Sequence, residues 1–185
     1  MKLAALFPGI GYTCDKPLMY YAGKLAAARG YEVVPVQYGH FPEKVKGDAG
    51  KMRASFDTAF RQAEELLKDV DWHACEDVVF IGKSIGTVVA CCYALAHHIP
   101  ARQVLLTPIK ETFQFAAPGA IAFHGTADPW AETADIQEAC ERLSIPLYLT
   151  DGANHSLEVG DVEKDLATLS SVLDAVRRFM DGDLP

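Results

Sequence analysis

Positive charge is scarce in this sequence. Its 185 residues carry 17 Lys and Arg against 25 Asp and Glu, a formal net charge of −8. That balance excludes the broad electropositive face a nucleic-acid partner requires. Cysteine is also sparse: Cys14, Cys75, Cys91, Cys92 and Cys140 are odd in number and show no CxxC spacing. Neither a disulfide framework nor a zinc site is expected from them, and a reducing, cytoplasmic setting fits best. Cys91, Cys92 and Cys140 fall in apolar stretches and read as small core residues. Long hydrophobic runs are missing too. The apolar stretch after Gly86 is broken by His97, His98 and Pro100, short of the roughly 20 apolar residues that cross a membrane. After Met1 come one basic residue and five apolar ones before Pro8-Gly9, too little for a signal-peptide core and better read as a strand. There are no repeats and no low-complexity segments. What remains, 50% hydrophobic and 23% charged, predicts one soluble globular domain over residues 1–185.

Short apolar runs alternate with helical patterns throughout. Strands are predicted at 2–7, 32–36, 77–82, 102–106, 119–124 and 145–150, several with little polar alternation, as strands covered on both faces require. Between them the 3.6-residue period marks helices. Leu18, Tyr21, Ala22, Leu25 and Arg29 share one face, with Asp15 and Pro17 at its start and Gly30 at its end. Further stripes run from Met52 to Val70, from Ile136 to Leu143, and through Val162, Leu166, Leu169, Leu173, Val176 and Met180. This alternation predicts an α/β fold: a mainly parallel sheet of about six strands between two helical layers. In such sheets ligands bind beyond the carboxyl ends of the strands, so chemistry is expected in the residues that follow them.

Three strand ends carry it. After the third comes Gly82-Lys83-Ser84-Ile85-Gly86, a G-x-S-x-G at a strand-to-helix junction, where a sharp backbone can lift a nucleophilic hydroxyl clear of the sheet. After the fifth comes His124-Gly125-Thr126-Ala127-Asp128-Pro129-Trp130, and after the sixth Gly152-Ala153-Asn154-His155-Ser156-Leu157-Glu158. A serine hydroxyl attacks well only when a histidine takes its proton and a carboxylate orients the imidazole. Ser84, Asp128 and His155 are the catalytic candidates, in the order Ser, Asp, His. Asp151 competes for the acid role, although its place before Gly152 suits a turn-opening residue better. His124 is read as support for the turn around Asp128.

These motifs resemble those of the α/β-hydrolase fold enzymes, and the HGTADP and GANHSLE segments resemble the small dienelactone-hydrolase-like branch. The resemblance spans essentially the whole chain. It implies a serine hydrolase with no cofactor and no metal, acting on a small-molecule ester or thioester. By the same resemblance the backbone N–H of Ile85 and one from Ile10 or Gly11 would form the oxyanion hole. The sequence departs from the family in two ways. It begins at the strand before the oxyanion loop, without the two usual antiparallel edge strands. Only Thr107 to Pro118 is available for a cap, which is too short for a cap domain. A minimal, lidless fold with a shallow, open site is therefore expected.

Tyr12, His40, Phe41 and Trp130 lie on the same rim and are candidates to line the substrate mouth. Lys83 either reaches an anionic substrate or is solvated. Lacking a cap, the rim leaves apolar surface that a second copy could cover as a homodimer. Two alternatives stay open: an amide or peptide hydrolase using the same residues, and a non-catalytic binding protein on the same scaffold.

Overall fold

The computed structural model describes residues 1–184. The strands are β1 (Lys2–Phe7), β2 (Tyr31–Pro35), β3 (Asp77–Lys83), β4 (Arg102–Leu106), β5 (Ala120–Gly125) and β6 (Leu147–Thr150). The helices are α1 (Pro17–Ala28), α2 (Ala49–Leu67), α3 (Ile85–Ala96), α4 (Thr133–Leu143) and α5 (Val162–Met180). All six strands pair in parallel in the order β2-β1-β3-β4-β5-β6. Among the described residues no helix is long and apolar enough to cross a membrane.

The alternation of side chains along the strands builds two cores. Ala4, Leu6, Val79, Ile81, Val104 and Phe123 point to one face, under α1 and α5. Ala5, Phe7, Phe80 and their neighbours point to the other, under α2 and α3, and α4 covers the β5 end of that layer. The result is a three-layer α/β/α sandwich.

Local chemistry sets the helix starts. Pro17 occupies the first turn of α1. The Asp48 carboxylate accepts from Lys51 N at 3.0 Å to cap α2, and Asp161 caps α5 by accepting from Glu163 N and Lys164 N, each at 3.1 Å. Glu163 and Asp165 in the first turn of α5, with Arg177 and Arg178 in its last, oppose the helix dipole.

Two helix faces differ from expectation. The buried face of α1 is Leu18, Met19, Ala22, Gly23 and Ala26, and Tyr21 is exposed. Gly23 makes this rotation possible, because its bare Cα packs against Leu6 and Val33. Val162 and Leu166 are exposed at the start of α5, and burial begins at Val172. Val162 and Leu166 instead line a surface hollow with Tyr12, Pro17 and Leu18. Cys92 is only half-buried, whereas Cys91 and Cys140 are core residues.

Between β4 and β5 the chain makes a 3-10 turn, Lys110–Gln114, within the short stretch expected to hold no cap domain. At the opposite rim, away from the strand carboxyl ends, Arg102 bridges Asp77 and donates to the Phe179 and Met180 carbonyls, tying α5 to the sheet.

Candidate active site

Ser84 follows β3 directly and has φ 55° and ψ −124°, a strained conformation for a non-glycine residue. Its N–H donates to the Leu106 carbonyl at 3.0 Å, and its own carbonyl accepts from Thr87 N and the Thr87 hydroxyl. The turn is held from both sides and the side chain stands at the rim. The flanking glycines are required by contact. A Cβ on Gly82 would lie 2.7 Å from Thr87 Cα, and one on Gly86 would lie 1.9 Å from the Phe7 carbonyl oxygen. The elbow therefore sits against the end of β1 with no room for a side chain.

Asp128 and His155 arrive on two loops that are stitched together. Thr126 N donates to Thr150 O, and Ala127 N to Ala153 O, each at 3.0 Å. Gly125 allows this approach, since a Cβ there would fall 2.3 Å from the Ala153 oxygen. The Asn154 side chain accepts from Ser156 N and Glu158 N, curling the loop so that the His155 ring faces the elbow. Thr107, buried with φ 44°, donates its hydroxyl to the His155 carbonyl at 3.1 Å. The Asp151 carboxylate accepts from the Thr126 hydroxyl, which in turn accepts from Gly152 N, so Asp151 is engaged in the turn.

The three side chains form a continuous hydrogen-bonded chain. His155 Nε2 is 2.8 Å from Ser84 Oγ, and His155 Nδ1 is 2.6 Å from Asp128 Oδ2. Asp128 Oδ1 accepts from Trp130 N at 2.9 Å, and its carboxylate is fully buried. Burial pushes the Asp128 carboxyl up. The hydrogen bond and charge of His155, the Trp130 N–H and His124 outweigh it and hold the group below its ordinary range. Burial lowers the His155 imidazole, and the Lys83 charge adds to that. The Asp128 carboxylate opposes both and does not cancel them. At neutral pH the imidazole therefore keeps its proton on Nδ1, which donates to the Asp128 carboxylate, and Nε2 is free to accept from serine.

The loop after β1 lies against the elbow. Gly9 N donates to Tyr12 O at 3.0 Å, closing a tight turn over Ile10 and Gly11. A Cβ on Gly9 would be 3.2 Å from Ser84 Cβ. Among the described residues, the backbone N–H groups of Ile10, Gly11 and Ile85 have no protein acceptor.

The other rim residues separate. The Trp130 ring stacks on His155, 5.5 Å between centroids, and the Lys46 ammonium lies 5.9 Å from the Trp130 ring. Phe41 packs edge-on against Tyr38 and lines a groove of about 710 Å³ beside β2 and α1. His40 sits at φ 63° in the same loop. Tyr12 turns away from Trp130 toward α1, where its hydroxyl accepts from Leu18 N at 3.2 Å. Lys83 is neither solvated nor at the mouth. It is 1% exposed, with its ammonium 4.8 Å from the Tyr12 ring centroid. As the last residue of β3 it shares the face of Val79 and Ile81, which fixes its direction. Thr107 was not among the sequence candidates, and a lone threonine after a strand gives no motif by which to find it.

Two further hollows lie on the α2 side of the elbow, and the smaller of them reaches Ile85. One, of about 390 Å³, runs between Val45, Met52, Ile109 and Trp130. The other, of about 140 Å³, is lined by Phe56, Ile85, Val88 and Phe115. They share Ala49, Met52, Ile109 and Glu111, and so form one cleft beside the elbow.

No protein-family model matches the sequence, and no curated protein matches it significantly. Solved structures do match. Esterase PE8 is 17% identical with a TM-score of 0.72, over 99% of this chain and 93% of that one. Est1E from Butyrivibrio proteoclasticus, solved with ferulic acid bound, is 12% identical with a TM-score of 0.70, over 97% and 88%. An α/β serine hydrolase without a lid from Xanthomonas campestris is 13% identical with a TM-score of 0.64, over 100% and 83%. At such identities the likeness establishes a shared fold.

Proposed function

On the α/β-hydrolase fold that this chain has, we propose a serine hydrolase that cleaves a carboxylic ester or thioester through an acyl-enzyme on Ser84. The observation that carries this reading is the unbroken Ser84–His155–Asp128 hydrogen-bonded chain. Ser84 Oγ attacks the acyl carbon as its proton passes to His155 Nε2. Asp128, already hydrogen-bonded to Nδ1, stabilises the imidazolium. The oxyanion accepts from the free N–H groups of Ile85 and of Ile10 or Gly11. A well-aimed donor of this kind is worth about 3–4 kcal/mol. The C–O or C–S bond then breaks, and His155 returns the proton to the leaving alcohol or thiol. Water, deprotonated by His155, hydrolyses the ester on Ser84 and restores the serine hydroxyl.

The cleft between α2 and Trp130 begins at Ile85 and is lined mainly by apolar side chains, which suits a small acyl group. The groove reached past Gly9 suits the other arm of the substrate. The chain functions as one hydrolase domain over residues 1–185, and the ester and thioester readings share every residue named.

A fluorophosphonate probe tests this directly. It is expected to add covalently to one site, mapped by peptide mass spectrometry to the tryptic peptide containing Ser84, and only in folded protein. Absence of labelling, or labelling elsewhere, defeats the reading. Because His155 is held below its ordinary value of 6.5, and the base must be neutral to act, kcat/KM is expected to rise with pH through a midpoint below 6.5. A pH profile with an activated ester checks this, and a midpoint above 6.5 counts against the described environment of His155.

A further inference from the structure

Lys83 is the one buried amine next to the nucleophile, and the reaction above leaves it without a task. A lysine removed from solvent normally finds a carboxylate or carbonyl to bond. Lys83 Nζ has no hydrogen-bond acceptor among the described residues. It rests on the face of Tyr12, which is itself held by the N–H of Leu18. Tyr12 closes the turn that carries Ile10 and Gly11, so a path of direct contacts runs from Lys83 to the candidate oxyanion donors. We propose that Lys83 is a positioning residue of this hydrolase. Its ammonium, seated on the Tyr12 ring, fixes the Gly9–Tyr12 loop and sets the electrostatic environment of the Ser84–His155 pair. The proposal rests on the hydrolase reading for its kinetic consequences, though not for its electrostatic ones.

The titratable groups around Lys83 come from three strand ends. Tyr12 follows β1, with Glu158 acting on it from the loop after β6. Asp128 follows β5, with His124 behind it, and His155 follows β6. Burial pushes Tyr12 up and His124 down, so both are neutral at pH 7. Burial likewise pulls the Lys83 amine down, to about 7, although the Asp128 carboxylate partly opposes it. Lys83 therefore changes charge in the range where a hydrolase works. In its charged form it disfavours imidazolium at His155, so removing it raises the pH at which His155 titrates. In its neutral form it loses the attraction to the Tyr12 ring, and the loop it holds is released.

Wild type, Lys83→Met and Lys83→Arg test this together. Methionine fills the slot without charge, and arginine keeps charge and ring stacking at all accessible pH. The first readout needs no activity. The His155 ring proton, followed by NMR, is expected to titrate about one pH unit higher in Lys83→Met than in wild type. The second is kcat/KM against pH. Wild type is expected to show an alkaline limb near pH 7 to 8, from the group at about 7. That limb disappears in Lys83→Met, leaving a plateau about tenfold lower. In Lys83→Arg the higher plateau returns and the limb moves beyond pH 10. Lys83→Met is also expected to melt no lower than wild type, because it removes an unpaired buried amine, which separates this role from a packing role. Coincident His155 titrations in wild type and Lys83→Met overturn the proposal, as does an alkaline limb that survives in Lys83→Met. If no variant labels with fluorophosphonate but the His155 titration still moves, the hydrolase reading falls and the Lys83–His155 coupling stands.

Discussion

Replacing Ser84 with alanine is expected to lower kcat on an activated ester by about a millionfold while leaving the melting temperature within a few degrees of wild type. Alanine keeps the Cβ and changes nothing in the turn, whose hydrogen bonds are all made by backbone groups and Thr87. What disappears is the hydroxyl oxygen that lies 2.8 Å from His155 Nε2. Asp128→Asn is expected to cost about 10⁴-fold in kcat. The amide keeps the shape of the carboxylate, but it can present an N–H to His155 Nδ1 and so favour the wrong tautomer, with the proton on Nε2. Because the three groups act on one proton, their losses do not add. The double variant Ser84→Ala, Asp128→Asn is expected to be no slower than Ser84→Ala alone. Steady-state rates with a p-nitrophenyl ester, alongside melting curves, decide the matter. A Ser84→Ala enzyme within tenfold of wild type would remove Ser84 from the chemistry.

The six strands and five helices were legible because their pattern is local. β1 and β4 have the expected bounds, and the other strands differ from them by one or two residues. β6 is the shortest because Pro146 cannot donate to the ladder and only its carbonyl pairs, with Ala122 N. Periodicity misjudged the exact faces of α1 and α5. It counts Tyr21, Val162 and Leu166 as core because they are apolar, but cannot see that Gly23 pulls α1 close or that Val162 and Leu166 line an open hollow.

The candidate site divides along the same line. Ser84, Asp128 and His155 each sit in a motif with turn-forming neighbours, and each motif follows a strand, so counting strands leads to all three. Lys83 shows where that method stops. From the sequence it is a charged residue in a loop, for which solvent or an anionic ligand is the ordinary destination. Its real direction is settled by strand parity. β3 extends through Lys83, so the side chain must leave on the face of Val79 and Ile81, into the core under α1. Ending the strand at Gly82, one residue early, hides this. Thr107 is hidden for another reason: its hydroxyl holds a carbonyl 48 positions away, a partner that local pattern cannot supply.

Gly86→Ala is expected to be the most damaging of the glycine-to-alanine changes, costing about 3 kcal/mol or more. An added Cβ would lie 1.9 Å from the Phe7 oxygen and 2.5 Å from the Pro8 oxygen. Both are backbone atoms at the end of a central strand, paired on either side by β2 and β3, so neither can swing aside as a flexible side chain would. The elbow must instead move away from β1, taking Ser84 from His155 and Ile85 from Ile10. Stability and labelling should therefore fall together, unlike in Ser84→Ala, where only labelling is lost. A loss of this size lowers the melting temperature by roughly 6–12 °C in a protein of this length. Gly39→Ala is the control: nothing lies within 4 Å of its Cβ position, and its backbone angle is one that alanine adopts. It is expected to be neutral or to stabilise by up to about 1 kcal/mol, through a less mobile unfolded chain. Thermal melts and fluorophosphonate labelling of the two variants side by side measure both effects. If Gly86→Ala labels at the wild-type rate and melts within 2–3 °C of wild type, a shift worth about 1 kcal/mol, the close packing of the elbow on β1 is wrong, and with it the placement of the oxyanion donors.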